Sequence, residues 1–170
     1  MELVEGKKMY QHILERMADL PLSPKLIVTQ YDEIVKGAAG FGFEAVMNTE
    51  PEHGISHSIH LGLEAALGRD PSLEGVMFGV CDQPYLKSSS IKKLIETFLH
   101  TDKNIAALAY HDVIGNPCIF SRKYYEELFA LTHDTGGKKV LKLHPEDVET
   151  VTVTWEKELE DIDTKDMICP

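Results

Sequence analysis

Side chains that could do chemistry concentrate in three stretches of this sequence. Asp82 closes the apolar run "GVMFGVCDQP", acidic residues crowd "EDIDTKDM" near the C-terminus, and histidines recur in "NTEPEHGISHSIHLGLEAAL". Carboxylate oxygens are ligands that Mg²⁺ prefers, and imidazole nitrogens are ligands for zinc-type ions. Each stretch is therefore a candidate metal site, and each also has a purely structural explanation.

Asp82 lies where a predicted buried strand has to stop. Pro84 follows two positions later and cannot donate to a strand ladder. The Asp82 carboxylate would then lie at the rim of a sheet, where it could bind Mg²⁺. The alternative is an aspartate that merely forms a turn.

The C-terminal carboxylates have the same two interpretations. Asp161 and Asp163 could supply further oxygens to the ion that Asp82 holds. The residues alone favour the structural alternative, in which Asp163 or Thr164 caps a last short helix and Asp166 lies in its first turn.

The three histidines, His53, His57 and His60, would share one face of a continuous helix because they are spaced four and three residues apart. Gly54 and the turn around it interrupt that helix, so we do not expect a three-histidine metal site.

Two further stretches could contact a ligand. The run "LTHDTGGKKVL" is a glycine loop that opens a short helix, and such a loop either binds an anion through its amides or is an ordinary surface turn. In "VIGNPCIFS", Asn116 precedes Pro117 and is expected to be extended.

Helical and strand patterns alternate along the chain. The predicted helices are "KKMYQHILERMADLP", "YDEIVKGAAGFG", "HSIHLGLEAALG" with Gly68 as its C-cap, and "SSSIKKLIETFLHTD" with serine caps; the strands include "KLIVTQ", "FEAVMNT", "EGVMFGVCD" and "NIAALAYHD". This alternation predicts a three-layer α/β/α sandwich with a mostly parallel sheet, whose strands, such as Val76 to Val80, are covered on both faces. Ligands in such folds bind beyond the carboxyl ends of the strands.

Composition narrows the function classes. The 170 residues suit one domain, residues 1–170, and the net charge of −11 repels nucleic acid and anionic membranes. There is neither an apolar run long enough to span a bilayer nor a secretory signal. Three widely spaced cysteines are no disulfide framework, so we expect a cytoplasmic protein.

Five motifs in one order carry a resemblance to a known family. These motifs are "G-I-S-x-S-I-x-x-G", "x-D-Q-P", "G-N-P-x-x-F", "x-D-x-G-G-K-x-x-L" and "D-I-D-T-x-D". Together they resemble the MobA-like nucleotidyltransferases, and among those the molybdenum cofactor cytidylyltransferases. The resemblance implies a Rossmann-like fold and a Mg²⁺-dependent transfer of CMP from CTP to the phosphate of molybdopterin, with release of pyrophosphate.

The resemblance also assigns roles to residues. Asp82 matches the metal-binding aspartate, and Asp161 and Asp163 match the segment close to the metal and the acceptor. Asn116 and Pro117 match the pair that lines the acceptor side.

Two glycine-containing turns complete the expected site. The turn of Gly54, Ser56, Ser58 and Gly62 matches the one that delivers a serine, here Ser58, to the nucleotide base. The loop of Asp134, Gly137 and Lys138 matches a "G-D-x-G-x-R" loop on the acceptor side, in which Lys138 would act in catalysis. His133 replaces its first glycine and Lys138 its arginine, which keeps the charge but loses the planar fork.

One departure from the family pattern concerns the start of the sequence. The family opens with a central strand and a phosphate loop, "L-A-A-G-x-S-x-R-M-G", and Met1 falls just after that point. There are three explanations. The true N-terminus lies upstream of Met1, or another segment or chain takes the position of the central strand, or the protein is a degenerate homologue. We expect the 170 residues alone not to catalyse transfer. The alternative function is a non-catalytic module that binds nucleotide or pterin and passes cofactor to a molybdenum hydroxylase.

Overall fold

The computed structural model describes residues 3–162, in which helices and short strands alternate. The strands are β1 (Leu3–Val4), β2 (Lys7–Lys8), β3 (Leu26–Thr29), β4 (Glu44–Met47), β5 (Gly75–Phe78), β6 (Ile105–Tyr110), β7 (Val113–Ser121) and β8 (Val148–Thr152). The helices are α1 (Met9–Ala18), α2 (Asp32–Ala38), α3 (Ile55–Arg69), α4 (Ser88–His100), α5 (Tyr125–Phe129) and α6 (Lys138–Leu143). The predicted α/β class is confirmed.

The described strands pair in three sheets. Strands β1 and β2 form an antiparallel hairpin, which the sequence patterns did not predict, and β3 and β4 are parallel with Leu26 opposite Glu44. The remaining four strands are hydrogen-bonded in the order β5–β7–β6–β8.

The chain divides into two compact units, each built from separate segments. Unit 1 comprises Met1–Leu20, Phe78–Ile119 and Glu149–Pro170, and unit 2 comprises Pro21–Met77 and Phe120–Val148. The boundary between them falls within β5, β7 and β8. The expectation of one domain over residues 1–170 stays a prediction.

Each unit buries its own apolar side chains. In unit 1, α1 buries Tyr10, Ile13, Leu14 and Met17, a spacing that puts them on one helical face. Unit 2 is built around the helices that follow β4 and β7; its buried side chains include Ile27, Ile34, Leu63, Tyr124, Leu128, Val140 and Leu141.

The strand before Asp82 is shorter than predicted. Strand β5 ends at Phe78, and its residues are half-buried rather than covered on both faces. Gly79 follows, and a glycine weakens a strand because it has no side chain to pack. Asp82 therefore lies beyond the strand, in the segment that connects β5 to α4.

Two helix ends also differ from prediction. Gly68 lies inside α3, whose C-cap is Asp70. The serines of α4 make no capping bond: Ser88 Oγ donates to the Arg16 carbonyl, 3.2 Å away, and the N-cap is Lys87. The Ser88 hydroxyl therefore binds a carbonyl of another element of unit 1 and does not cap the start of α4.

Within residues 3–162, no helix has both the length and the apolar character needed to cross a membrane.

Candidate active site

Gln83 ties the two acidic motifs of unit 1 together. Its side chain is almost fully buried, and Nε2 donates to Asp161 Oδ1 at 2.8 Å and to the Leu159 carbonyl at 3.2 Å. The amide of Ile162 donates to the Asp82 carbonyl at 2.9 Å. Tertiary structure thus holds Asp161 beside the backbone of Asp82.

An apolar anchor keeps the C-terminal acidic segment in this position. Ile162 is buried and packs in one cluster with Val4 and Tyr85. Asp161 itself is exposed, so its carboxylate can reach a ligand in solvent. Asp163 and the predicted final helix lie outside the described residues.

The predicted acceptor pair lies in β7 of the same unit. The Asn116–Pro117 peptide bond is cis, Pro117 is buried and Asn116 is half-buried. A Cβ on the preceding Gly115 would lie 2.9 Å from the side chain of Leu159, the residue whose carbonyl accepts from Gln83. Close packing of β7 on the turn Glu156–Leu159 therefore brings the "GNP" motif and the acidic segment into one neighbourhood.

Cys81, which directly precedes Asp82, keeps its thiol protonated. Burial of the thiol, assisted by the negative charge of Asp82, raises the pKa of Cys81 to about 11. A neutral thiol is a poor nucleophile and a poor metal ligand. We therefore expect Cys81 neither to attack a substrate nor to bind the metal ion.

In unit 2 the predicted base-binding turn meets the predicted glycine loop. The amide of Ser56 donates to the His133 carbonyl at 3.1 Å. Gly54 has φ +80, and a Cβ there would lie 2.6 Å from Asp134 Oδ1 and from the backbone of His133. Only glycine allows this approach, so Gly54 and Asp134 belong to one local structure.

Ser58 has a fixed partner that sequence reasoning missed. Asn48 is buried, its amide bonds to the Thr29 carbonyl at 2.8 Å, and its Nδ2 donates to Ser58 Oγ at 3.0 Å. Because Ser58 accepts from Asn48, its own O–H is left to donate to a ligand. The sequence feature that could have pointed to Asn48 is its position directly after the strand β4.

The other glycines of these motifs serve packing. A Cβ on Gly62 would lie 3.2 Å from Val28, and one on Gly137 would lie 3.1 Å from the Phe120 ring. Lys138 begins α6 and is exposed, so its ammonium can approach an anion from solvent. The roles of these residues toward a ligand stay predictions.

The histidines meet a carboxylate that the sequence did not point to. Helix α3 begins at Ile55, so the predicted interruption between His53 and His57 is present. Nevertheless His53, His57 and Glu50 each place a potential ligand atom within 4.8 Å of the others. His60 lies away from them, against Phe129, with 5.9 Å between ring centroids.

Comparisons with known structures identify the fold. The 4-diphosphocytidyl-2C-methyl-D-erythritol synthase of Anaerococcus prevotii is 18% identical with a TM-score of 0.77, covering 98% of this chain and 85% of that one. Molybdopterin-guanine dinucleotide biosynthesis protein A of Archaeoglobus fulgidus is 16% identical with a TM-score of 0.67, covering 97% and 84%. Mycobacterium tuberculosis Rv0371C, in complex with manganese, is 19% identical with a TM-score of 0.71, covering 89% and 79%.

These likenesses show a Rossmann-like nucleotidyltransferase fold. No curated protein matches the sequence of this chain. The family description "MobA-like NTP transferase domain" matches residues 1–150, which is most of the chain. This chain belongs to the MobA-like NTP transferase domain family.

Proposed function

We propose that the protein transfers CMP from CTP to the phosphate of molybdopterin, with Mg²⁺ bound by Asp82 and the C-terminal aspartates. The observation that carries this proposal is the Gln83 bridge, which brings Asp161 to the Asp82 segment across 78 residues of sequence. The resemblance of the five motifs to the cytidylyltransferases supports the choice of nucleotide and acceptor.

The donor set fits a hard divalent ion. Asp82 and Asp161 offer carboxylate oxygens, and Gln83 takes only Oδ1 of Asp161, which leaves that carboxylate able to accept a cation as well. Asp163 would add a third carboxylate. When bound, Mg²⁺ offsets the charge of the triphosphate. The structure of the similar mycobacterial protein was solved in complex with manganese, which supports a requirement for a divalent metal ion.

The reaction is a displacement at the α-phosphorus of CTP. An oxygen of the acceptor phosphate forms a bond to that phosphorus, the bond to the bridging α–β oxygen breaks, and pyrophosphate leaves with the electron pair. The protein contributes position and charge and forms no covalent bond itself. The family resemblance assigns Lys138 to the phosphates and Gly54, Ser56 and Gly62 to the base-binding turn. It assigns Asn116 and Pro117 of unit 1, and separately Asp134 and Gly137 of unit 2, to acceptor binding.

The hydrogen bond from Asn48 supports the preference for cytosine. A Ser58 hydroxyl that donates matches the acceptor atoms O2 and N3 on the pairing edge of cytosine, whereas guanine presents N–H donors at the corresponding positions. We therefore expect Ser58→Ala to weaken CTP binding about fivefold, the effect of losing one neutral hydrogen bond. Its control is Ser72→Ala, which removes a surface hydroxyl that bonds only locally to Asp70.

The measurement is calorimetric binding of CTP and of GTP with Mg²⁺ present. A wild-type protein that binds both nucleotides equally would contradict the role of Ser58, and so would a Ser58→Ala variant that matches the Ser72→Ala control.

The proposed reaction is tested by pyrophosphate release from CTP in the presence of molybdopterin and Mg²⁺. Because the 170 residues alone are not expected to catalyse transfer, they are assayed beside a chain extended by a family-type N-terminal strand and phosphate loop. Release by the extended chain should depend on molybdopterin and disappear with Asp82→Ala, while the circular dichroism and unfolding midpoint of that variant stay near those of the unsubstituted protein. Saturable pterin or CTP binding with no pyrophosphate release would favour the non-catalytic module, with a molybdenum hydroxylase as recipient of the cofactor. Undiminished release by Asp82→Ala would remove the assigned metal site.

A further inference from the structure

Glu50, His53 and His57 in unit 2 form a cluster that the proposed transfer reaction does not use. The Oε2 atom of Glu50 lies 3.6 Å from His57 Nε2 and 3.9 Å from His53 Nδ1. All three candidate ligand atoms lie within 4.8 Å of one another. We propose that this cluster binds one zinc-type transition-metal ion.

The chemistry of the three ligands selects the class of ion. Two imidazoles and one carboxylate are a ligand set of zinc sites that keep a fourth position for water, whereas Mg²⁺ prefers oxygen ligands alone. In a tetrahedral zinc site with ligand bonds of about 2.0–2.1 Å, neighbouring ligand atoms lie about 3.3–3.4 Å apart. The observed Glu50–histidine separations exceed that by a few tenths of an ångström, and no two of the three ligand atoms are more than 4.8 Å apart. Rotations of the side chains, two of them exposed and that of His57 partly exposed, can close these gaps.

The backbone that carries the ligands is already fixed. The amide of Glu50 bonds to Asn48 Oδ1 at 2.9 Å, and the amide of His53 bonds to the Glu50 carbonyl at 3.1 Å. Pro51 opens the short 3-10 turn Pro51–His53 and restricts its φ. Because the backbone is held in advance, an ion has to order only the three side chains.

The second histidine is held by α3. The amide of His57 bonds to the Gly54 carbonyl at 3.2 Å, and its side chain is less exposed than those of the other two ligands. The rings of His53 and His57 lie edge to face, with 5.4 Å between centroids. Glu50 supplies the negative charge that offsets the positive end of the α3 dipole, which would otherwise oppose a cation.

Loading this cluster would stiffen the segment that contains Ser58. Asn48 bonds both to the Glu50 amide and to Ser58 Oγ, and His57 directly precedes Ser58. A bound ion would cross-link Glu50 to His57 and so close the segment on itself. The inference does not depend on the identity of the nucleotide or on turnover.

The test is titration of the metal-free full chain with ZnCl₂, in a buffer containing excess Mg²⁺ to occupy sites built from oxygen alone. Wild type should bind one Zn²⁺ per chain. The double variant His53→Gln, His57→Gln keeps side-chain size and should lose this binding. Glu50→Gln should lower the affinity for Zn²⁺. Loss of a residue that only hydrogen-bonds to a metal ligand lowers metal affinity about 10–100-fold, so loss of the ligand Glu50 should lower it at least that much.

The matched control is Glu127→Gln. Glu127 is also a surface carboxylate beside a histidine, 2.9 Å from His144 Nε2, but that histidine turns its other nitrogen toward Glu146, 3.8 Å away, so the three groups cannot converge on one ion. Glu127→Gln and Asp82→Ala should both bind Zn²⁺ like wild type. If Asp82→Ala still binds Zn²⁺, the zinc site is distinct from the proposed Mg²⁺ site.

A titration with CoCl₂ identifies the ligands independently. Visible d–d bands without a near-ultraviolet thiolate band are expected, and the visible bands should vanish in the double histidine variant. Equal Zn²⁺ affinity of wild type and the double variant would overturn the proposal, as would a thiolate charge-transfer band, which would assign the ion to cysteine.

Discussion

Cys81 shows how one residue near the acidic group responds to its surroundings. Its pKa is raised to about 11, first by burial of the thiol and second by the charge of Asp82. Below its ordinary pKa of 9.0, both the folded and the unfolded chain keep this proton. Between these two values the unfolded chain loses the proton first, so rising pH favours unfolding.

We expect Cys81→Ser to make the protein less sensitive to alkaline pH. Between about pH 8 and pH 10 the wild type should lose about 1 kcal/mol more of its unfolding free energy than the variant does. Denaturant unfolding of wild type and Cys81→Ser at both pH values measures this difference. Parallel losses in wild type and Cys81→Ser would contradict the raised pKa.

At the scale of elements, the turn before α3 depends on a glycine. Gly54→Ala would put a Cβ 2.6 Å from the His133 backbone at a residue with φ +80, so we expect a loss of about 1–3 kcal/mol in unfolding free energy. Gly68→Ala in the same helix has open space around its Cβ and should stabilise the protein by about 0.5–1 kcal/mol.

Thermal or denaturant unfolding of the two alanine variants measures whether their stabilities change in opposite directions. Two variants that shift stability in the same direction would mean that Gly54 is not required for the contact between the α3 turn and the loop of His133 and Asp134.

A buried carboxylate joins two further elements, the turn Glu156–Leu159 and the start of α4. Glu158 is 1% exposed and accepts hydrogen bonds from Ser90 Oγ at 2.6 Å, from Lys87 Nζ at 3.0 Å and from the Lys87 amide at 3.3 Å. These bonds replace the serine cap that the α4 sequence predicted. They also hold the turn Glu156–Leu159, which directly precedes the acidic segment in sequence, against the start of α4.

Removing this carboxylate should loosen the turn. We expect Glu158→Ala to lower the unfolding free energy by about 1–3 kcal/mol, because Ser90 and the Lys87 amide lose their acceptor. Glu156→Ala, an exposed glutamate of the same turn, should change it by less than about 0.5 kcal/mol. Equal unfolding midpoints for the two variants would show that the network contributes nothing to stability.

At the scale of the whole molecule, net charge sets which partners the protein can meet. The formal charge is −11, so the long-range field repels polyanions, and a single nucleotide needs local cations, amides or a metal to bind. Repulsion of this kind is strongest at low ionic strength, where the screening length is about 30 Å at 0.01 M.

We therefore expect no binding to duplex DNA or to anionic lipid vesicles at about 0.01 M salt, where a basic protein would bind most tightly. Gel retardation and vesicle co-sedimentation are the measurements, with a basic DNA-binding protein as positive control. Binding that weakens as salt rises would reveal a basic surface that the net charge hides.

The amino-acid sequence was enough to predict the α/β class, the positions of most helices and strands, and the family to which the order of motifs points. These follow from local periodicity and from residue types at fixed spacing, which need no knowledge of distant contacts. It also gave Asp82, Gly54 and Ser58 as candidate residues. It placed the end of β5 too late, because the apolar run was taken to continue through Gly79, before which the strand stops.

The contacts between side chains of different motifs could be seen only in the folded protein. Gln83 holds Asp161, Asn48 orients Ser58, and Glu50 joins His53 and His57 where a helical reading had grouped them with His60. The first two contacts depend on buried side-chain amides whose partners lie far along the chain or across a turn. The physical reason is that a buried polar group must find a partner wherever the fold offers one, and sequence spacing does not encode that place.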